Sequence, residues 1–354
     1  MKDRPSTVVV ALSGGIDSSL GAALLKQAGW DVRGLHFLLP ASPSKAGERR
    51  CLVRKVADHL GISCDFLDLS EIFTQKVITP FTEAYLKGHT PNPCVLCNEV
   101  IKFDGLSSFA RKMGIQRIAT GHYAVIKKSS KGIFELWRSP DKNKEQSYFL
   151  HRLTQAHLSK TLFPLADLTK KKARELGDRL GLPNASEPES QEVCFIPGND
   201  YRLFMEKREG KQISHKGDIV DRDGHKVGEH LGTYRYTIGQ RHGLGIASPR
   251  PYYVLGIRPA DNLIVVGRKE DLLSLRVEAD DFRWMDGEPP GRDLNVLAQI
   301  RYRHRPAPGR LTALSPDRVR FEFEEPQSAV TPGQALVCYD GERVLGGGWI
   351  RQAE

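Results

Sequence analysis

Three short stretches hold residues with the means to do chemistry. The first is Ser13-Gly14-Gly15-Ile16-Asp17-Ser18-Ser19, which abruptly ends the apolar run Val8–Leu12. Paired glycines let backbone N–H groups curl towards an anion, and a following helix adds its positive N-terminal end. Hydroxyls and amides suit a pyrophosphate, while the Asp17 carboxylate suits Mg²⁺. The loop lacks the Gly-Lys-Ser/Thr of a Walker A site, so none of its residues is a lysine that reaches a γ-phosphate. The plainer alternative is a glycine turn without a ligand. The second stretch is Thr90-Pro91-Asn92-Pro93-Cys94-Val95-Leu96-Cys97-Asn98, in which two prolines stiffen the entry to a C-x-x-C pair. Such a pair serves redox chemistry, half a zinc site, iron–sulfur ligation or a catalytic thiol. No second C-x-x-C is present to complete a structural zinc site. Cys194 lies in the polar, proline-containing stretch Ala185–Gly198, which reads as a mobile loop able to carry a thiol to a distant partner. Cys51, Cys64 and Cys338 fall in a predicted helix and predicted strands and are expected to be small buried hydrophobes.

The third stretch is Gln299-Ile300-Arg301-Tyr302-Arg303-His304-Arg305. On a strand, Arg301, Arg303 and Arg305 would share one face as a phosphate comb, and Tyr302 would point the other way into a barrel. A solvated charged strand is the alternative. Lys127-Lys128 with Lys131, and Lys170-Lys171-Lys172, are expected to be solvated faces.

The elements that must position these groups alternate through the first half. Val8–Leu12, rich in β-branched residues, predicts a strand covered on both faces, and Leu20–Ala28 a helix stopped by Gly29. Strands follow at Trp30–Leu39, Cys64–Leu69 and Arg117–Thr120. Helices are expected at Glu48–Leu60, Glu71–Leu86 with a break at Pro80, Ile101–Met113 and Leu168–Leu180. This is an α/β pattern with a parallel sheet, in which ligands gather at the carboxyl ends of strands; the Ser13–Ser19 loop and Gly121-His122 both sit at such ends. After about Tyr201 the helical periodicity fades. Asp223-Gly224 predicts a hairpin turn within Gly217–Gly228, and short alternating runs from Leu273 onward predict a small β-barrel or sandwich.

The chain has 354 residues and a formal net charge of +9, enough for two or three domains and weakly suggestive of a polyanionic partner. No apolar run reaches the roughly 18 residues of a membrane span, and Met1–Pro5 leads to the first strand without an apolar signal core. Six cysteines in a chain this long do not make a disulfide scaffold; a cytoplasmic protein with thiols, metal ligands or catalysts is expected.

The glycine loop resembles the pyrophosphatase loop (PP-loop) of the ATP pyrophosphatases. That loop, Thr90–Asn98 with Ile101-Lys102-Phe103, Thr120-Gly121-His122-Tyr123 and Gln146-Ser147-Tyr148-Phe149-Leu150 occur in order. Cys194-Phe195-Ile196, Tyr236-Thr237-Ile238-Gly239-Gln240-Arg241 and Pro332-Gly333-Gln334 complete the set. Together they resemble the tRNA-specific 2-thiouridylases nearly end to end. The resemblance implies a PP-loop (adenine nucleotide α-hydrolase-like) domain over residues 1–202, a small central domain over 203–270 and a tRNA-binding C-terminal β-barrel over 271–354. It implies that ATP, with Mg²⁺, adenylates O2 of the wobble uridine, nucleotide 34 of tRNA, and that sulfur then displaces AMP to give 2-thiouridine.

The implied ATP-binding residues are Ala11, Leu12, Ser13, Gly14, Gly15, Ile16, Asp17, Ser18 and Ser19, with Phe37 and Gly121 lining the adenine pocket. Asn92, Pro93 and Cys94 match the segment that meets the target base; His122, Lys144, Glu145, Gln146, Arg301, Tyr302 and Gln334 match tRNA contacts. Cys194 would take a persulfide from a sulfur-relay protein or cysteine desulfurase, and Cys97 would help liberate the sulfur or form a transient disulfide with Cys194. Many family members have an aspartate, a proposed general base, where this chain has Cys94. A thiol there could act as base, or Cys94, Cys97 and Cys194 could hold a [4Fe–4S] cluster with one open iron; both routes remain open at this point. Two other readings compete: another PP-loop adenylating enzyme of the synthetase or amidotransferase type, and a non-catalytic iron–sulfur RNA-binding protein.

Overall fold

The computed structural model describes residues 6–40, 43–187 and 193–354, so Met1–Pro5 and residues 188–192 of the expected Cys194 loop lie outside the described residues. The chain divides into two compact units, each built from separated segments. The first comprises Met1–Val77, Cys94–Gln191 and Glu342–Val344; the second comprises Ile78–Pro93, Glu192–Gly341 and Leu345–Glu354.

Seven strands belong to the first unit: β1 (Thr7–Ala11), β2 (Asp31–Leu38), β3 (Ser63–Asp68), β4 (Arg117–Ala119), β5 (Ala124–Lys128), β6 (Phe134–Arg138) and β7 (Thr161–Leu162). Five form a sheet in the order β3-β2-β1-β4-β7, with parallel pairings throughout. Val8, Val9 and Val10 of the central strand are fully buried, because an uninterrupted β-branched run is covered on both faces. Val8, Val10 and Leu12 pack with Ala22 and Leu25 of the helix Ile16–Gln27 and with Val53 of the helix Pro43–Leu60. Chain order reverses at β1, whose neighbours are β2 on one side and β4 on the other, which opens the crevice where such sheets bind ligands. The β5–β6 hairpin has no counterpart among the expected elements. It follows β4 directly, and its Trp137 pairs with Arg343 of the short stretch Glu342–Val344.

Two expected helices are irregular. Glu71–Leu86 is a helical turn Ser70–Phe73, a π-helical turn Thr74–Ile78 and a helix Thr79–Leu86 with Pro80 in its first turn. Pro80 has no N–H to give to the preceding turn, so the regular ladder is interrupted ahead of it. The expected helix Ile101–Met113 starts earlier, as a turn Pro93–Leu96 and a π-helical segment Cys97–Phe103, before becoming regular over Asp104–Lys112.

In the second unit, β8 (Gly217–Val220) and β9 (Lys226–His230) form the hairpin expected around Asp223-Gly224. They join β10 (Tyr253–Arg258) and β11 (Leu263–Gly267) in a sheet of order β10-β11-β8-β9. The barrel follows: β12 (Leu273–Trp284), β13 (Leu294–Gln299), β14 (Ala307–Ser315), β15 (Arg318–Ser328), β16 (Ala335–Asp340) and β17 (Arg343–Ala353). It runs β12-β15-β14-β13-β16-β17 and closes through β12–β17, around a core of Val277, Phe282, Leu311, Phe321, Leu336 and Ile350. A helix at Tyr201–Glu209 stands where the sequence shows no helical period. Asp200 caps it, accepting at 3.0 Å from the backbone of Arg202 and of Leu203, but only Met205 of this helix is buried, too little for an apolar stripe.

The arginine comb is corrected. β13 ends at Gln299, and residues 300–304 form bends and turns rather than a strand. The Gln299 amide donates to the carbonyls of Arg301 (3.1 Å) and Tyr302 (2.7 Å), and the His304 N–H closes onto Arg301 O at 2.9 Å. That folding of the backbone removes the alternation on which a shared arginine face depends.

Candidate functional site

The first unit's site grows from the end of β1. Gly14 turns the chain with φ of +80°, a conformation open to glycine, and Gly15 caps the helix Ile16–Gln27. The loop is laced by its own serines. Ser18 Oγ donates to Gly15 O (2.8 Å) and accepts from Ser13 N (3.2 Å), and Ser19 Oγ donates to Gly15 O (3.2 Å). Asn184, fully buried, donates its amide to Gly14 O (2.8 Å) and Ser19 Oγ (2.9 Å). His36 clamps the strand end from β2, its Nδ1 2.6 Å from Leu12 O; since a carbonyl only accepts, Nδ1 carries the proton. Burial lowers the His36 pKa and keeps the ring neutral. These bonds fix the first turn of the helix, whose amides suit an anion.

Asp17, in that first turn, has its carboxylate already engaged. Lys170 Nζ donates to Oδ1 at 2.7 Å and Oδ2 at 2.8 Å, and Tyr123 O–H donates to Oδ1 at 2.8 Å. Lys170 is only 9 % exposed, which corrects the expectation that Lys170-Lys171-Lys172 is a solvated face. The first of the three lysines opens the helix Lys170–Arg179, capped by Thr169, and turns inward. A carboxylate offers about four acceptor positions, of which three are taken, so Asp17 fits one bond to a metal that arrives with a nucleotide. Gly121, just past β4, lies against the same loop: a Cβ there would stand 2.7 Å from Asp17 C and O and 2.8 Å from Ser18 N. Phe37 packs over Gly105, where a Cβ would meet its ring at 3.1 Å.

The thiols divide between the units. Cys94, on the turn Pro93–Leu96, is exposed, and Cys97, opening the π-helical segment, is buried; both belong to the first unit. That segment is braced from the turn Ser147–Leu150 and its continuation. Asn98 Nδ2 donates to Phe149 O (3.1 Å), and Glu99 pairs with buried Arg152 at 2.7 Å. Lys102 Nζ approaches His122 Nε2 at 3.5 Å, which leaves Nδ1 to donate to Thr120 Oγ1 at 2.7 Å. His122 is buried beside Phe103 and Phe163, and that burial, with Lys102 beside it, drives its pKa well down. Its ring is thereby held neutral.

Among the expected tRNA contacts of this unit, Lys144 and Gln146 are half-buried and Glu145 is buried against Arg138 and the Ser147 N–H. Desolvation raises the Glu145 pKa. Cys64 is half-buried with its thiol pushed up to about 11, mainly by desolvation. Cys51 is exposed, contrary to expectation, because its position on the helix Pro43–Leu60 faces away from the core.

In the second unit Cys194 is exposed, yet the two residues after it are anchored. Phe195 and Ile196 are buried; Phe195 meets Phe81 (5.3 Å between centroids) and Phe204 (5.5 Å) edge-on, and Tyr201 stacks on Tyr85 at 4.6 Å. The expected loop is therefore pinned on its C-terminal side to the helix Thr79–Leu86. Gln334 seats the segment before Asn92 and Pro93: its Nε2 donates to Thr90 O (2.8 Å), and Thr90 N donates to Pro332 O (2.9 Å). Asn92 is half-buried and Pro93 buried. Arg301 donates to Ser328 O at 3.0 Å, whereas Arg303 and Arg305 are exposed and Tyr302 is half-buried. Cys338, in β16, is fully buried and its thiol pKa is raised by desolvation alone.

Three family models match the chain in succession. Residues 6–198 match a tRNA methyl transferase HUP domain, 203–268 a tRNA methyl transferase PRC-barrel domain and 274–350 an aminomethyltransferase beta-barrel domain. The chain is 44% identical over 359 residues to the tRNA-specific 2-thiouridylase MnmA of Geobacter metallireducens, covering 98% of this chain and 97% of the relative. It is 45% identical over 354 residues to that of Syntrophotalea carbinolica (99% of this chain, 100% of the relative). It is also 45% identical over 358 residues to that of Carboxydothermus hydrogenoformans (98% and 97%).

Proposed function

The chain belongs to the family of tRNA-specific 2-thiouridylases, and we propose from that premise how its own residues divide the work. The protein is an ATP-dependent tRNA sulfurtransferase that makes 2-thiouridine. The loop Ala11–Ser19 holds ATP with its phosphates against the first-turn amides, and Asp17 would hold the Mg²⁺ that offsets the phosphate charge. Phe37 and Gly121 bound the adenine side. The observation that carries this reading is the Asp17 carboxylate, held at the mouth of the serine-laced loop by Lys170 and Tyr123.

Asn92, Pro93 and Cys94 receive the flipped wobble uridine of the tRNA, which Lys144, Gln146, Arg301, Tyr302 and Gln334 help to place. His122 and Glu145 are buried, so each would act on the tRNA through its neighbours rather than by direct contact. Uridine O2 attacks the α-phosphorus and expels pyrophosphate, converting a poor leaving group into AMP. Sulfur attacks C2, the C2–O2 bond breaks and AMP leaves. The sulfur comes as the terminal atom of a persulfide on exposed Cys194, loaded by a relay protein or a cysteine desulfurase. Cys97 attacks the inner sulfur as the terminal one is transferred, giving a Cys97–Cys194 disulfide that an external thiol then reduces. Cys94, exposed one turn ahead of Cys97, takes the place of the family's aspartate as base. With no membrane-spanning helix among the described residues, a cytoplasmic enzyme fits this reading.

Activation and sulfur delivery use different groups, and that separation is testable. Cys97→Ser and Cys194→Ser should each abolish 2-thiouridine formation while tRNA-dependent pyrophosphate release continues; Asp17→Ala should abolish pyrophosphate release itself. Thiolation retained in either cysteine variant removes that thiol from the route.

A further inference from the structure

The Lys144–Gln146 segment reaches Asp17 by two separate hydrogen-bonded routes. Along one, Asp141 Oδ2 accepts the backbone N–H of Lys170 at 2.8 Å, and the Lys170 ammonium grips both oxygens of Asp17. Asp141 also holds the segment at its start, its carbonyl accepting from Lys144 N (3.0 Å) and its Oδ1 from Asn143 N (3.1 Å). Along the other, Gln146 holds the backbone of Tyr123 from both sides. Its N–H donates to Tyr123 O (2.9 Å), its side-chain oxygen accepts from Tyr123 N (3.0 Å), and Tyr123 O–H closes on Asp17. The short stretch 141–146 thus joins a tRNA-facing strip to the nucleotide's carboxylate. Lys170 and Tyr123 are nearly fully buried, so neither can follow a displacement of its partner by rotating into solvent.

We propose that Asp141, Lys170 and Tyr123 are positioning residues that couple tRNA seating to the ATP loop. When tRNA fixes Lys144 and Gln146, the Asp141 and Tyr123 connections set where the Asp17 carboxylate and the Lys170 ammonium stand. The two ligands then bind more tightly together than apart. The proposal rests on the reading that residues 144–146 face tRNA. It also gives this loop a substitute for the lysine absent from it: a cation delivered from a distant helix, whose place depends on the RNA.

Coupling is a reciprocal free energy, so it is read as a ratio of affinities. The experiment measures dissociation constants of the full-length protein for α,β-methylene-ATP with Mg²⁺, by calorimetry, with and without saturating tRNA. In the unsubstituted protein tRNA should tighten the analogue by about tenfold, within the usual 5–150-fold range of coupled sites. In Tyr123→Phe combined with Asp141→Ala, which leaves the Lys170–Asp17 pair in place, the ratio should fall below about twofold. Circular dichroism melts and the tRNA dissociation constant confirm that the variant is folded and binds RNA. If it proves unfolded, each single substitution should lower the ratio in part. A wild-type ratio in the folded variant, or a ratio of one in the unsubstituted protein, overturns the coupling and leaves the contact reading standing. Unaltered tRNA affinity in Lys144→Ala with Gln146→Ala overturns the contact reading, and the coupling with it.

Discussion

At the scale of single residues, the site works by holding groups in one charge state and one orientation. His122 is the clearest case. Its ring is enclosed by Phe103 and Phe163, with an ammonium beside Nε2, so the folded protein refuses a proton that the unfolded chain accepts near pH 6.5. A folded pKa below the unfolded one means that its contribution to stability is complete above that value and is lost as pH falls below it. His122→Gln should therefore flatten the decline of Tm between about pH 7 and pH 5, measured by thermal melts across that window. An unchanged slope would place the acid sensitivity elsewhere, for instance at His36, which burial also keeps neutral. The catalytic loop was legible as a string of residue types because glycine, serine and aspartate act there through local backbone geometry. Lys170 was not legible. It stands 153 positions from Asp17, and within Lys170-Lys171-Lys172 no local pattern distinguishes the lysine that faces inward from the two that do not.

At the scale of elements, close approach of backbones decides what the site tolerates. The chain leaving β4 passes so near the first turn of the helix Ile16–Gln27 that Gly121 has no room for a Cβ. Gly121→Ala should force those elements apart, at a cost of about 1–3 kcal/mol typical of overpacking. It should also raise the KM for ATP several-fold while tRNA affinity stays close to normal, as stability curves, initial-rate kinetics and tRNA titration would register. Parallel strands, the Asp223-Gly224 hairpin and most barrel strands could be read from periodicity and turn residues. The failures share a cause. Residues 300–304 alternate like a strand, yet the Gln299 side chain supplies hydrogen bonds that outcompete a ladder. The π-helical segments at Thr74–Ile78 and Cys97–Phe103 carry no propensity signal, since they arise from Pro80 in one case and from bracing by Asn98 and Glu99 in the other.

At the scale of the whole molecule, a net charge of +9 is spread unevenly in its availability. Arg318 and Arg320 are both paired with Glu278, whereas Arg303 and Arg305 are exposed on the turn after β13. Removing a cation that neutralises one RNA phosphate should reduce the slope of log affinity against log salt by somewhat under about one unit. Arg303→Ala and Arg305→Ala should do so for cognate and non-cognate tRNA alike, and Arg318→Ala with Arg320→Ala should not. A wild-type salt slope in both Arg303→Ala and Arg305→Ala would mean that this turn does not meet RNA.

The route of the chain through its two units has a consequence for how the protein is made. Ile78–Pro93 belongs to the second unit, and its aromatic partners Tyr201 and Phe204 are encoded more than a hundred residues later. At about 5–20 residues per second, a ribosome needs roughly 6–25 seconds between Phe81 and Phe204. Within that interval β4 and β7 are made and the parallel sheet can be completed, while Phe81 and Tyr85 wait for the aromatic rings that will cover them. Asn92 and Pro93, proposed to receive the wobble base, end this waiting segment, and Gln334, which seats Thr90, is encoded 244 residues after it. A chain that stops before residue 334 would therefore carry the glycine–serine loop yet lack the contact that seats Thr90 ahead of Asn92 and Pro93.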